Sequence, residues 1–209
     1  AGLSVPPLGL AYVASALREG GVHVEILDAY ALGLTWDEFE QALSKSDAEV
    51  LGLGTMTPVA DSAYRTAKLA RDFFDFIVLG GPHPTAVKKT VFEDCDAIDH
   101  LVLGEAEEIM GPYVAWLERD ALGAPPAGVM AREQSFKPHT PSRPIDSVPW
   151  PARDLLPNHS YRYLMATRPG FATLISSRGC PFRCSFCDKS VSGSRWRARS
   201  AKNVVDEMA

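Results

Sequence analysis

Three things are scarce in this sequence. Cysteines number four among 209 residues, and three of them crowd into one short segment. A disulfide framework would spread its cysteines through a small secreted domain, so the crowding points instead to metal ligation in a reducing, cytoplasmic setting. Basic charge is in deficit, with 21 Lys and Arg against 26 Asp and Glu; such a chain presents no broad basic surface to nucleic acid. Long apolar runs are missing, for none approaches the ~20 residues that span a bilayer. The opening Ala1-Gly2-Leu3-Ser4-Val5-Pro6-Pro7 has neither the positive leader of a signal peptide nor an initiator methionine, and the expectation is a chain that starts late. Internal repeats and low-complexity tracts are absent too.

What is present is alternation. With 46% hydrophobic residues the chain can build an ordinary packed core. Leu8 to Glu19 has helical spacing and is stopped by Gly20-Gly21. Val22 to Asp28 alternates like a strand. Trp36 to Ser44 is helical, and Glu49 to Met56 a buried strand. Asp61 to Phe74 is helical, Phe76 to Leu79 a strand, Thr85 to Asp94 a helix, His100 to Leu103 a strand, and Glu105 to Arg119 a helix. Short apolar strands alternating with helices predict a parallel sheet covered on both faces. Ligands of such sheets bind at the carboxyl ends of the strands. Three strands end in glycine-bearing sequence there: Gly54-Thr55-Met56-Thr57-Pro58, Gly80-Gly81-Pro82-His83-Pro84-Thr85 and Gly104-Glu105-Ala106-Glu107. Glycine lets a ligand approach the backbone, so these loops are expected to line one crevice. His83, between prolines, reads as a turn residue, His23 and His100 as structural, and Glu105 and Glu107 as acids capping a helix.

The expected organisation is an α/β domain over residues 1–122, a proline-rich linker over 123–168 with a short strand near Gly128 to Ala131, and the start of a second domain over 169–209. In the last, a strand at Phe171 to Ile175 leads into the cysteines, and Ser200 caps a final helix, Ala201 to Met208. A strand, a loop and a helix cannot form a core alone, so this second domain is expected to be incomplete.

The cysteine segment is Cys180-Pro181-Phe182-Arg183-Cys184-Ser185-Phe186-Cys187, with three and then two residues between the cysteines. Three thiolates so closely spaced can wrap one cubic iron–sulfur cluster and leave one iron open. A structural zinc site would pair C-x-x-C units and complete four ligands; here one such pair exists and no His or Cys follows Cys187. Cys95, far off, reads as a buried thiol. Arg195, Arg197 and Arg199 form a short basic run that suits either the cluster loop or a solvated face.

This segment, with Ser177-Arg178-Gly179 before it, resembles the signature of the radical S-adenosylmethionine superfamily. The resemblance implies a 4Fe-4S cluster held by Cys180, Cys184 and Cys187, S-adenosylmethionine on the open iron, and Phe186 packed near the adenine. It also implies that the cysteine loop follows the first strand of a partial TIM barrel. The earlier chain resembles the Rossmann-like cobalamin-binding domain that precedes the barrel in one branch of that superfamily, which contains cobalamin-dependent methylases and the anaerobic magnesium-protoporphyrin monomethyl ester cyclase. The residues that carry this are Pro6 to Ala14, Gly52 to Pro58, Gly80 to Thr85, Leu103 to Glu107, Pro149 to Asp154 and Arg197 to Glu207. By that resemblance the family's first strand precedes Pro6 and is missing, and the nucleotide tail of cobalamin contacts Thr55, Met56, Thr57, Gly80, Gly81, His83, Gly104 and Glu105. Two departures stand out: Ala106 replaces the common glycine, and no Asp-x-His-x-x-Gly motif is present. The implied activity is methyl transfer to an unactivated carbon, with a small-molecule substrate and a reductant such as flavodoxin or ferredoxin. Three alternatives remain: an oxidative cyclase with the same cofactors, a transfer-RNA methylthiotransferase (which would need three further cysteines), and a non-catalytic cobalamin- or zinc-binding module.

Overall fold

The computed structural model describes residues 4–163 and 171–209. Helix α1 (Leu8–Glu19) has the predicted bounds and buries Ala11, Tyr12, Ala14 and Leu17. One further turn, α2 (Ala29–Leu32), is capped by the Asp28 side chain, which accepts from the Ala31 N–H. A capping box starts α3 (Trp36–Leu43), where Thr35 and Glu38 satisfy each other's backbone N–H groups.

Strands β1 (Val50–Gly54), β2 (Phe76–Gly80) and β3 (His100–Val102) pair in parallel in that order. Strand β4 (Val129–Ala131), from the proline-rich segment, pairs antiparallel with β3 and closes that edge. Helices α4 (Ala60–Ala70), α5 (Pro82–Val87), α6 (Thr90–Asp94) and α7 (Glu107–Leu117) complete the layers. On one face Ile77, Leu79 and Leu101 pack against Leu43, Ala67, Ala70 and Val91 of α3, α4 and α6. On the other, Val78, Val102 and Val129 meet Leu17 of α1 and Ile109, Tyr113 and Trp116 of α7. Each fully buried aliphatic side chain contributes ~1.5–3 kcal/mol. Two arginines tie loops to this core through carbonyls. Arg71 donates to Phe74, Asp75 and Ala97 and pairs with Asp99. Arg132 donates to Phe92, Cys95, Asp96 and Ile98.

Three expected elements differ. Residues 22–28 are not a strand, although Val22, Val24 and Ile26 turn inward while His23, Glu25 and Leu27 are exposed. Residues 171–175 likewise alternate half-buried and exposed but carry no ladder. The side-chain period of a strand is local, but its hydrogen bonds need a neighbour, and among the described residues none lies alongside. The strand before the cysteines is instead β5 (Ser177–Arg178), antiparallel to β6 (Arg197–Ala198). The expected helix from Thr85 to Asp94 begins earlier and breaks. Prolines 82 and 84 sit in the first turn of α5, where a missing N–H costs nothing, and Lys88 interrupts it at φ 55°.

The linker straps back across α1. The Ala152 N–H donates to the Ala11 carbonyl at 2.9 Å, Arg18 pairs with Asp154 at 2.8 Å, and the Ser15 hydroxyl bonds the Trp150 carbonyl. Buried Tyr161 donates its hydroxyl to Asp28 at 2.9 Å. The far end of the expected linker, 164–168, and the start of the second domain, 169–170, lie outside the described residues. The last helix, α8 (Ala201–Met208), is capped by Ser200 as predicted; its Glu207 lies between Arg153 of the linker and Arg199.

His100 supplies a pH test of the core. Its ring is buried between Tyr113 and Trp116, with Nδ1 3.0 Å from the Tyr113 hydroxyl. Burial pushes its pKa below the ordinary value, opposed by Asp99. In the window just below pH ~6.5 the unfolded chain takes up a proton that the folded chain refuses, so stability falls with pH at up to ~1.4 kcal/mol per unit. The denaturation midpoint of the protein is expected to drop between pH 7.5 and 5.5. His100→Phe should flatten part of that slope; an identical slope in the variant would show that His100 is not its source.

Candidate functional site

Three loops leave the carboxyl edge of the parallel strands, and hydrogen bonds make them one unit. After β1, the Thr55 N–H donates to the Gly80 carbonyl at 3.0 Å and its carbonyl accepts from the His83 N–H at 3.2 Å. After β2, Gly81 adopts φ 101°, and a Cβ there would meet the Thr55 carbonyl at 2.8 Å. Only glycine permits both the conformation and the approach. The Thr85 hydroxyl donates to the Gly81 carbonyl at 2.8 Å and accepts the Gly104 N–H of the third loop at 3.0 Å.

His83 is buried, with Nδ1 3.1 Å from the Thr57 hydroxyl and Nε2 2.8 Å from the Tyr64 hydroxyl. Both ring nitrogens are therefore engaged inside the protein, and its place is that of a loop brace. Burial raises the Tyr64 pKa and keeps this phenol neutral. Nothing in the sequence singled out Tyr64; it is one helix residue among many until the fold brings it under the second loop. Met56 and Thr57 stand exposed at the tip of the first loop. Gly52 and Gly54 lie exposed on β1, and a Cβ at Gly54 would meet the Leu10 side chain of α1 at 3.1 Å.

The cysteine loop is anchored at its two ends by β5 and β6. Gly179, at φ 79°, passes so close to the Arg195 carbonyl that no side chain fits. The Cys180 N–H donates to the Gly193 carbonyl at 3.3 Å, and that of Cys187 to the Cys184 carbonyl at 3.2 Å. All three thiols are free, Cys180 half-buried and Cys184 and Cys187 exposed. Among the described residues no three His, Cys, Asp or Glu side chains are gathered as a ready metal site, so the loop brings the thiols into one segment without converging them on a point. Phe186 is fully open to solvent at 90% exposure. Cys95 is buried, as expected, and burial pushes its thiol pKa up.

Between the loops lies a cluster of buried charge. Arg178 pairs with Glu105 at 3.3 Å and with Glu107 at 2.6 Å. Arg197 donates to both oxygens of the Glu105 carboxylate, at 3.0 Å for one of them. The Arg178 guanidinium also sits 4.9 Å from the centre of the Tyr12 ring. Burial opposes the Arg178 charge, but Glu107 and Glu105 outweigh it and hold its pKa above the ordinary value. Glu107 stands in the first turn of α7, where an acid meets the helix dipole as expected, but Glu105 lies before the helix, Ala106 is the N-cap and no side chain caps it. The adjacent Glu108 accepts the Ser142 and Arg143 N–H groups of the linker, which lower its pKa against the cost of burial.

Gly81→Ala is expected to destabilise the protein by about 2–4 kcal/mol, from backbone strain and the clash with Thr55. Gly52→Ala, whose Cβ would meet nothing within 4 Å, should change stability by about 0.5–1 kcal/mol at most. Equal effects in a urea titration would contradict the close approach of the two loops.

With this geometry in hand, the chain can be set beside known proteins. A family model described as the B12 binding domain matches residues 1–112. The chain is 35% identical to an uncharacterised methyltransferase of Pyrococcus horikoshii, a match over 100% of this chain and 46% of that protein. It is 30% identical to the anaerobic magnesium-protoporphyrin IX monomethyl ester cyclase of Rubrivivax gelatinosus, over 97% of this chain and 38% of the cyclase. Thus it spans less than half the length of these curated relatives. Among solved structures, the radical S-adenosylmethionine methyltransferase TsrM from Kitasatospora setae, with cobalamin and a 4Fe-4S cluster bound, superposes with a TM-score of 0.74 at 18% identity. That match covers 98% of this chain and 42% of TsrM, and it places the two in the same fold. The B12 model takes in more than half of the residues, and the chain belongs to the B12 binding domain family.

Proposed function

We propose that this chain is the cobalamin-binding and cluster-binding part of a radical S-adenosylmethionine enzyme, and that the enzyme is a methyltransferase. The observation that carries this reading is one juxtaposition: a three-cysteine loop held by buried charge against the loops at the carboxyl edge of a B12-type sheet. Thr55, Met56, Thr57, Gly80, Gly81, His83 and Gly104 line the cobalamin crevice in this reading. Glu105 contributes its backbone there, since its carboxylate is engaged by arginines.

The donor set suits a cluster. Three free thiols lie on one loop whose ends are fixed and whose middle is open, and thiolate is the ligand that iron–sulfur clusters take. Cys180, Cys184 and Cys187 would hold it, leaving one iron for S-adenosylmethionine. With the cluster, S-adenosylmethionine and cobalamin bound, the site would supply reductive radical chemistry through a 5′-deoxyadenosyl group and a methyl carrier, given an electron from a low-potential donor such as flavodoxin or ferredoxin. Phe186 is free to take its place beside the adenine. Residues of the chain itself do the holding: Gly81 and Thr85 keep the crevice loops together, and Gly179 lets the cysteine loop turn back over β6.

A small molecule is the proposed methyl acceptor. The relatives divide between named methyltransferases and a cyclase, so oxidative ring closure with the same cofactors is the second reading. Among the described residues no helix is long and apolar enough to cross a membrane, and the proposed location is the cytoplasm. The test is anaerobic reconstitution with iron, sulfide and hydroxocobalamin, followed by elemental analysis. About four irons and about one cobalt per chain are expected. Cys184→Ser and Cys187→Ser should each lose most of the iron and keep the cobalt. Stoichiometric zinc with iron excluded would sink the radical reading.

A further inference from the structure

We propose that Glu105 is a positioning residue whose carboxylate, shared by Arg178 and Arg197, fixes the cysteine loop against the crevice. Its role in catalysis rests on the reading of Cys180, Cys184 and Cys187 as cluster ligands.

The two arginines are not arbitrary neighbours. Arg178 immediately precedes Gly179-Cys180, and Arg197 is its cross-strand partner in the β5–β6 pair. They therefore stand at the two ends of the cysteine loop, and one carboxylate holds both. Arg197 grips it as a two-pronged fork, and Arg178 spans Glu105 and Glu107. Planar guanidinium groups make this geometry, which a lysine ammonium cannot reproduce. The cluster is desolvated: the side chains of Arg178, Glu105 and Glu107 are 10%, 9% and 11% exposed. Charges so placed are tolerated only when paired, and removing one partner leaves the others buried and uncompensated. The N-terminal end of α7 further favours the acids.

Glu105 is equally bound on its other side. The Gly104 N–H reaches the Thr85 hydroxyl, which reaches the Gly81 carbonyl, and Gly81 touches Thr55. A continuous path thus runs from the first crevice loop to Arg178, two residues before Cys180. Gly104 also faces the cysteine loop directly, since a Cβ there would sit 3.7 Å from the Val191 carbonyl. Arg178 over Tyr12 adds α1 to the same junction. The arrangement sets where the thiols stand relative to the crevice, which two cofactors that must react with one another require.

The test uses the full-length protein with Glu105→Gln and, as a second variant that keeps the charge, Arg197→Lys. Trypsin cuts at Arg183, Lys189 and Arg195 within the loop report its anchoring in metal-free protein, independently of any cluster. Lys68, exposed on the solvent side of α4, is the control. Both variants are expected to raise cleavage in the loop tenfold or more over wild type with Lys68 unchanged. In iron-loaded protein they should release iron to a chelator at least tenfold faster. Wild-type cleavage in both variants overturns the proposal, as does cleavage that rises equally at Lys68. Weakened hydroxocobalamin binding with an unmoved loop also overturns it, and makes Glu105 a cofactor contact. A wild-type protein that takes up no iron refutes the cluster reading alone, because the cleavage pattern still decides the anchoring.

Discussion

The contact on which the site depends is the backbone approach of Gly81 to Thr55. It leaves no room for a side chain, and it ties together the loops after β1 and β2. Everything toward the cysteine loop is built outward from it. Thr85 carries the constraint from Gly81 to Gly104, and Glu105, the next residue, carries it to Arg178 and Arg197. Neutral hydrogen bonds, through the backbone of Thr55 and the hydroxyl of Thr85, form the inner half of this path and buried charge the outer half. The first is insensitive to salt and pH. The second holds only while every charge keeps a partner.

The sheet below gives these loops a common platform. Parallel strands present all their carboxyl ends on one edge, which is why residues as distant in sequence as Thr55, His83 and Glu105 become neighbours. Helices on both faces keep β2 and β3 dry, whereas β1, expected as a buried strand, forms the sheet edge and is only half-buried, with Gly52 and Gly54 exposed; the linker crossing α1 brings the later chain back to the carboxyl edge. Arg153 extends that strap to α8 through Glu207, whose carboxylate it shares with Arg199. Paired arginines on one acid thus recur at two places in the later part of the chain, each joining segments that are far apart in sequence.

Much of this could be read from the residues alone, and the reasons for the rest are physical. Helix α1 is written in its apolar spacing and its closing glycines, and α8 in Ser200. Strands β1 to β3 are short apolar runs of the length that buried parallel strands use. The glycine-bearing loops and the cysteine spacing were visible because they are local. Long-range pairing was not: the inward–outward alternation of residues 22–28 and 171–175 is clear in sequence, but a ladder also needs a neighbouring strand. For the same reason Glu105 reads as a helix cap until the fold brings Arg178 and Arg197 to it, and Tyr64 carries no mark of its bond to His83. The basic run Arg195, Arg197 and Arg199 divides in the structure, with Arg195 exposed and the other two holding carboxylates.

The central proposal is that the loops at the carboxyl edge and the cysteine loop form one unit that would hold two cofactors in a fixed relation. The most direct measurement is the distance between paramagnetic cob(II)alamin and the reduced cluster in the anaerobically loaded full-length protein, by pulsed electron paramagnetic resonance. The account predicts a single narrow distance distribution. A broad distribution, or two centres with no measurable coupling, would contradict it.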